Sequence, residues 1–174
     1  MHLRDVILCL VFALLLLSGC QYSNFQVPEN CDAPEMIAAF DKRIPGSTYV
    51  PTEWQPAEGT LLKIFLDNSG IACTYGIQSA EVGGTVMWTI DTQGLFAKQS
   101  ELWKSEQYRS IDIEGINESE AYLLPLSATG VDGAYIWEVN LLIEDLWISF
   151  GGSFIQDISE ATDIINTAIE VARR

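Results

Sequence analysis

The stretch Ala134-Tyr135-Ile136-Trp137-Glu138-Val139-Asn140-Leu141-Leu142-Ile143-Glu144-Asp145-Leu146-Trp147-Ile148-Ser149-Phe150 decides the fold class. Tyr135, Trp137, Val139, Leu141 and Ile143 recur at every second position, and so do Leu146, Ile148 and Phe150. A period of two is that of a strand with one buried face. Only Glu144-Asp145 separates the two runs, so the chain turns straight back into an antiparallel hairpin. The same alternation occurs upstream, in Ile71, Cys73, Tyr75 and Ile77 and again in Val86, Trp88 and Ile90, with Gly83-Gly84 expected as the turn between them. Ile111 with Ile113, and Tyr122 to Leu126, read as short strands. The Pro-rich stretch Pro45 to Pro56 reads as an irregular wrap or an edge strand.

Around these strands the period changes to that of helices. Asp32-Ala33-Pro34-Glu35 has the form of a capping box and opens a helix to Arg43, with Met36, Ile37, Ala39 and Phe40 on its apolar face. Thr60 to Asp67 fits either a helix or a buried strand. Leu95, Phe96, Gln99, Leu102 and Trp103 stripe a middle helix running to about Tyr108. Asp157 and Glu160 open a C-terminal helix whose stripe is Ala161, Ile164, Ile165, Ala168, Ile169 and Ala172. The sum is an α+β fold, an antiparallel β-sheet with an N-terminal helix, a middle helix and a C-terminal helix packed on one face. The other face is then expected to stand open. Its candidate ligand residues are Met87, Glu138, Asn140 and Trp147, a polar surface with one indole and one thioether that suits a sugar, a peptide or an apolar tail. An ordinary solvated face, with Trp147 under a loop, fits the same pattern.

The N-terminus sets the domain organisation. Val6 to Leu17 is an unbroken apolar run. A membrane-spanning helix needs about 20 such residues, so the run has the length of a signal-peptide core. Leu17-Ser18-Gly19-Cys20 follows directly and resembles the lipobox of bacterial lipoproteins. That resemblance implies cleavage before Cys20 and a lipid on its thiol. The n-region departs from the usual form, because Arg4 is its only formal cation and Asp5 sits beside it. The expected organisation is a cleaved leader at 1–19, a lipidated tether at 20–30 and one α+β domain at 31–174. The membrane, reached through the anchor on its extracytoplasmic face, is the first expected partner.

The formal net charge of −15 is unchanged by cleavage, since Arg4 and Asp5 leave together. Such a surface repels phosphate backbones, so nucleic acid is not an expected partner. Cys31 and Cys73 remain in an oxidising compartment and are expected to form a disulfide. His2, the single histidine, leaves with the leader. Imidazole-dependent nucleophilic catalysis and His-ligated zinc go with it. No phosphate-cradling loop or dinucleotide fingerprint is present, and no cofactor or catalytic residue is expected. Two acidic loops, around Glu114, Asn117, Glu118 and Glu120 and at Asp67-Asn68-Ser69-Gly70, lack the ligand spacing of a calcium loop, so no metal site is expected either. Paired carboxylates remain as the route to an enzyme, through glycan hydrolysis.

Taken in order, the elements are the lipobox cysteine, Cys31 opening a helix, the Ile71-Ala72-Cys73-Thr74-Tyr75-Gly76 strand, the Trp137 to Phe150 hairpin and a terminal amphipathic helix. In that order the chain resembles the small lipoproteins of actinobacteria. Some of these are similar in architecture to the PsbP/Mog1-like α-β-α sandwich, also seen in extracellular sensor domains. The resemblance carries no catalytic residue. It implies a non-enzymatic binding or accessory role in the cell envelope, toward an envelope protein or a small-molecule ligand. A purely structural envelope protein is the alternative.

Overall fold

The computed structural model of the chain describes residues 23–117, 119–126, 136–153 and 157–174, without the side chains of 125, 126, 136 and 137. The expected leader at 1–19, Cys20, Gln21, Tyr22, Glu118 and the Ala134-Tyr135 start of the hairpin lie outside the described residues.

Seven strands form one sheet: β1 (Thr48–Val50), β2 (Ile71–Ile77), β3 (Val82–Ile90), β4 (Arg109–Ile111), β5 (Ser119–Leu126), β6 (Ile136–Ile143) and β7 (Leu146–Gly152). Their order across the sheet is β1-β2-β3-β7-β6-β5-β4, antiparallel throughout. The hairpin that opened the reading is β6–β7, with Ile143 opposite Leu146 and Glu144-Asp145 as the loop. The β2–β3 turn differs from expectation. Gly83 and Gly84 lie inside β3, and the chain reverses through a short 3-10 turn, Gln78–Ala80, with Glu81 at φ +53°. Gly83 stands opposite Gly76, where the strands approach so closely that a Cβ on Gly83 would lie 2.3 Å from the Tyr75 carbonyl oxygen. Glycine is required there by the sheet, not by a turn.

Among the described residues four helices accompany the sheet: α1 (Pro34–Arg43), α2 (Leu61–Asp67), α3 (Leu95–Ser105) and α4 (Ile158–Ala172). Thr60 to Asp67 is thus resolved as a helix, capped by the Thr60 hydroxyl, which accepts from Lys63 N–H. Asp32 is not the cap of α1. Pro34 disfavours a helical conformation at the residue before it, so Ala33 stays extended and holds the N-cap position without a side-chain hydrogen bond. Asp157 does cap α4, accepting from Ser159 N–H at 2.9 Å, and these Ser159 hydrogen bonds hold its carboxyl below the usual range.

The helices divide between the two faces, giving three layers. α1 and α4 cover one face, over Cys73, Tyr75, Val86, Trp88, Val139, Leu141, Ile148 and Phe150. The Trp88 indole donates to the Ala168 carbonyl of α4 at 2.9 Å, and Phe40 of α1 stacks on Tyr75 at 4.9 Å. The Cys31–Cys73 disulfide, expected from the compartment, ties the entry of α1 to β2. α2 and α3 cover the opposite face, the one expected to stand open. Phe65 of α2 and Phe96 and Trp103 of α3 close on Trp147, with ring centroids 4.6, 5.4 and 6.3 Å away. The middle helix therefore packs on the other side from α1 and α4, because its Phe96 and Trp103 find the large apolar side chains, Met87 and Trp147, that the second face carries. Leu102, expected in the buried stripe of that helix, is 48% exposed.

The expected tether is also shorter than its sequence suggests. Phe25 is 2% exposed and forms a β-bridge with Arg173, whose guanidinium lies over the Phe25 ring. Ser23 donates to Asp145 at 2.6 Å, and Asn24 donates to the Glu144 carboxylate. From Ser23 onward the segment belongs to the domain.

Candidate functional site

The second face is built in rows. Ala72, Met87, Ser149, Asn140 and Tyr122 stand side by side across β2, β3, β7, β6 and β5. In the next row stand Thr74, Thr85, Gly151, Glu138 and Leu124. Thr85, Met87, Leu124 and Glu138 floor a cavity of about 460 Å³. Its walls are Trp54 from the Pro-rich stretch, Thr60 at the N-terminus of α2 with Leu61 and Leu62, and Trp103, Glu106 and Tyr108 from α3 and its exit. That volume is within the range of small-molecule sites. A smaller hollow of about 360 Å³, paved by glycines of β2, β3 and β7, adjoins it and shares Thr85.

Local structure holds the walls in place. α3 starts on Asp91, whose two carboxylate oxygens accept from Leu95 N–H and Phe96 N–H, each at 2.8 Å. It ends in a Schellman turn: Gln107 takes φ +65°, and Tyr108 N–H returns to the Trp103 carbonyl at 2.9 Å. That turn brings Tyr108 back beside Trp103. α2 ends in the same way, with Ser69 at φ +58° and Gly70 N–H bonded to the Phe65 carbonyl at 2.9 Å. Trp54 is fixed by its indole, which donates to the Ala72 carbonyl at 2.9 Å.

Glu138 lies at the half-buried end of a chain of hydrogen bonds with a fixed sense. The Trp147 indole can only donate, and it does so to Asn140 Oδ1 at 3.0 Å. Asn140 must then present its amide nitrogen to Glu138, donating to Oε1 at 2.7 Å. Ser149 donates to the same oxygen at 3.1 Å. Oε1 is thereby filled, and Oε2 has no hydrogen-bond partner among the described residues. Burial pushes the Glu138 carboxyl above its ordinary range, against the smaller opposing effect of these two donors. Neither Glu138 nor Glu106 is in an ion pair among the described residues, and no Lys or Arg lines the cavity.

The structure brings the four candidate ligand residues together, in a different arrangement from the one expected. Glu138, Asn140 and Trp147 form one relay, and Met87 lines the cavity beside Glu138. Trp147 is fully buried beneath α2 and α3, so it is a support and not a contact surface. Sequence reasoning missed the walls, Trp54, Trp103, Glu106 and Tyr108, because it placed every helix on the other face. The signal was present in Met87 and Trp147, two large apolar side chains on a face read as polar. In the Asp67-Asn68-Ser69-Gly70 loop Asp67 pairs with Lys63, and Asn68 is bonded to Ile64 and Gln93. Among the described residues no three His, Cys, Asp or Glu side chains are placed to hold a metal ion, and no helix is long and apolar enough to cross a membrane. Comparison with known proteins finds no matching family model, no matching curated protein and no matching solved structure.

Proposed function

We propose that the chain is a lipid-anchored, extracytoplasmic lipoprotein that acts as a non-enzymatic ligand-binding module of the cell envelope. The observation that carries the binding role is the cavity over Glu138. It combines a preformed relay, aromatic walls and one carboxylate oxygen without a hydrogen-bond partner among the described residues. The Leu17-Ser18-Gly19-Cys20 motif supports the anchor. Native mass spectrometry of the protein from its own envelope, in mild detergent, tests both parts. The expected result is a mass carrying acyl chains on Cys20 together with a reproducible small-molecule adduct. A Cys20→Ser variant should lose the acyl mass and leave the membrane fraction. Retention of that variant on the membrane would overturn the anchor.

A second reading rests on the two carboxylates of the same cavity. Glu138, raised by burial, would be a general acid in glycan hydrolysis, and the exposed Glu106 its partner. Turnover of cell-wall oligosaccharides that is lost in Glu138→Gln would favour this reading over simple binding.

A further inference from the structure

The cavity is defined as much by its charge as by its shape. Two carboxylates line it, Glu138 on the floor and Glu106 on the wall, and among the described residues no basic side chain answers either. Burying a carboxylate without a countercharge is costly, and the protein meets that cost only in part, through the Asn140 and Ser149 donors on one oxygen. Among the described residues Glu138 Oε2 has no donor, and the donor that restores most is a charged one. Trp54, Trp103 and Tyr108 stand around the same space. Aromatic faces attract ammonium groups through the ring quadrupole, and more strongly where water is excluded. The net charge of −15 draws cations toward the molecule and repels anions.

We propose that the ligand is a small organic cation, an amine on an apolar or aromatic body. Its ammonium donates to Glu138 Oε2 and its body lies against the half-buried Trp54 and Tyr108, with the nearly buried Trp103 backing them. This rests on the binding role proposed above and adds the chemical class of the ligand. A free metal ion fits less well, because among the described residues no three His, Cys, Asp or Glu side chains are grouped to hold one, and the cavity offers only two carboxylates.

Three probes of one size and three charges separate the possibilities: phenethylamine, phenethyl alcohol and phenylacetate. Each is titrated into the mature chain, residues 20–174, in mild detergent. Binding is followed by the fluorescence of Trp54 and Trp103 and by calorimetry. Phenethylamine should bind about tenfold or more tightly than the alcohol, with phenylacetate weakest. Glu138→Gln keeps an acceptor for Asn140 and Ser149, so it should fold normally and bring amine and alcohol to within about twofold. Glu106→Gln, at an exposed position, should weaken the amine by a smaller factor. Equal binding of amine and alcohol to the unaltered protein overturns the cation proposal and leaves a binding module for neutral ligands. If none of the three probes enters, the cation proposal and the binding role fall together.

Discussion

At the scale of single residues, burial decides between a contact and a support. Trp147, read from the sequence either as an indole of an open face or as one under a loop, is the centre of a nest of rings from α2 and α3. Trp147→Ala should therefore cost about 3–5 kcal/mol, read from urea unfolding, by leaving a cavity and an unpaired Asn140 carbonyl. A variant of unchanged stability would return Trp147 to the surface. Glu138 carries a pH signature whose sign is set by its raised carboxyl. For a group raised in the folded state, the folded protein holds the proton more tightly than the unfolded chain. That contribution is whole below the ordinary glutamate value of 4.5 and is lost as the pH rises through the folded value. Glu138→Gln does not titrate, so wild type should lose stability relative to the variant as the pH climbs from about 4.5 toward neutrality. A difference that stays flat with pH would mean that Glu138 is hydrated and not desolvated. The site residues legible in the sequence were those on the strands, because a period of two assigns a face without ambiguity. Trp54 and Tyr108 were not legible, since an irregular stretch and a Schellman turn aim side chains by backbone angles that no period reports.

At the scale of elements, the strands and long helices were read largely in place, and the errors fell at junctions. The β6–β7 loop was legible because two acidic residues separate two alternating runs. The β2–β3 turn was misplaced because Gly83-Gly84 has the form of a turn and serves instead where two backbones nearly touch. Which face a helix takes depends on the partner across the sheet, and no segment states that by itself. The disulfide joins two elements that packing alone also holds. It closes a loop spanning 42 positions between Cys31 and Cys73. In the chain-entropy description this stabilises the fold by about 4 kcal/mol. Cys73 has no exposed surface and Cys31 is 8% exposed, so a mild reductant should leave the bond intact in the folded protein. A Cys31→Ala, Cys73→Ala double variant should melt clearly below wild type by calorimetry. A variant that melts with wild type would show that α1 is held without the disulfide, by Phe40 and Met36 packing and its Lys42–Asp163 and Arg43–Glu160 ion pairs to α4.

At the scale of the whole molecule, the chain closes on itself. Phe25 near the start bridges Arg173 at the end, Gln26 N–H bonds to the Ala172 carbonyl, and Arg174 N–H bonds to the Asn24 carbonyl. This closure also escaped sequence reasoning, because Gln21 to Asn30 has neither helical nor strand period and looks like a spacer. Phe25→Ala should cost about 3 kcal/mol and loosen the C-terminal turn of α4, seen as faster amide exchange at Ala172 and Arg173. Exchange confined to residues 23–27 would mean that the two ends are not coupled.

Were the proposed lipid on Cys20, the same closure would set the bearing of the molecule. Only Gln21 and Tyr22 would stand before the pinned Ser23, a leash of about 10 Å at full stretch. The domain would then ride against the bilayer with the Glu144-Asp145 end of the sheet downward. Glu138 is paired with Gly151, five positions along β7 from Leu146, which puts it roughly 17 Å farther along the sheet. A protein moored this way would exchange its ligand with the aqueous layer above it and not with the lipid beneath.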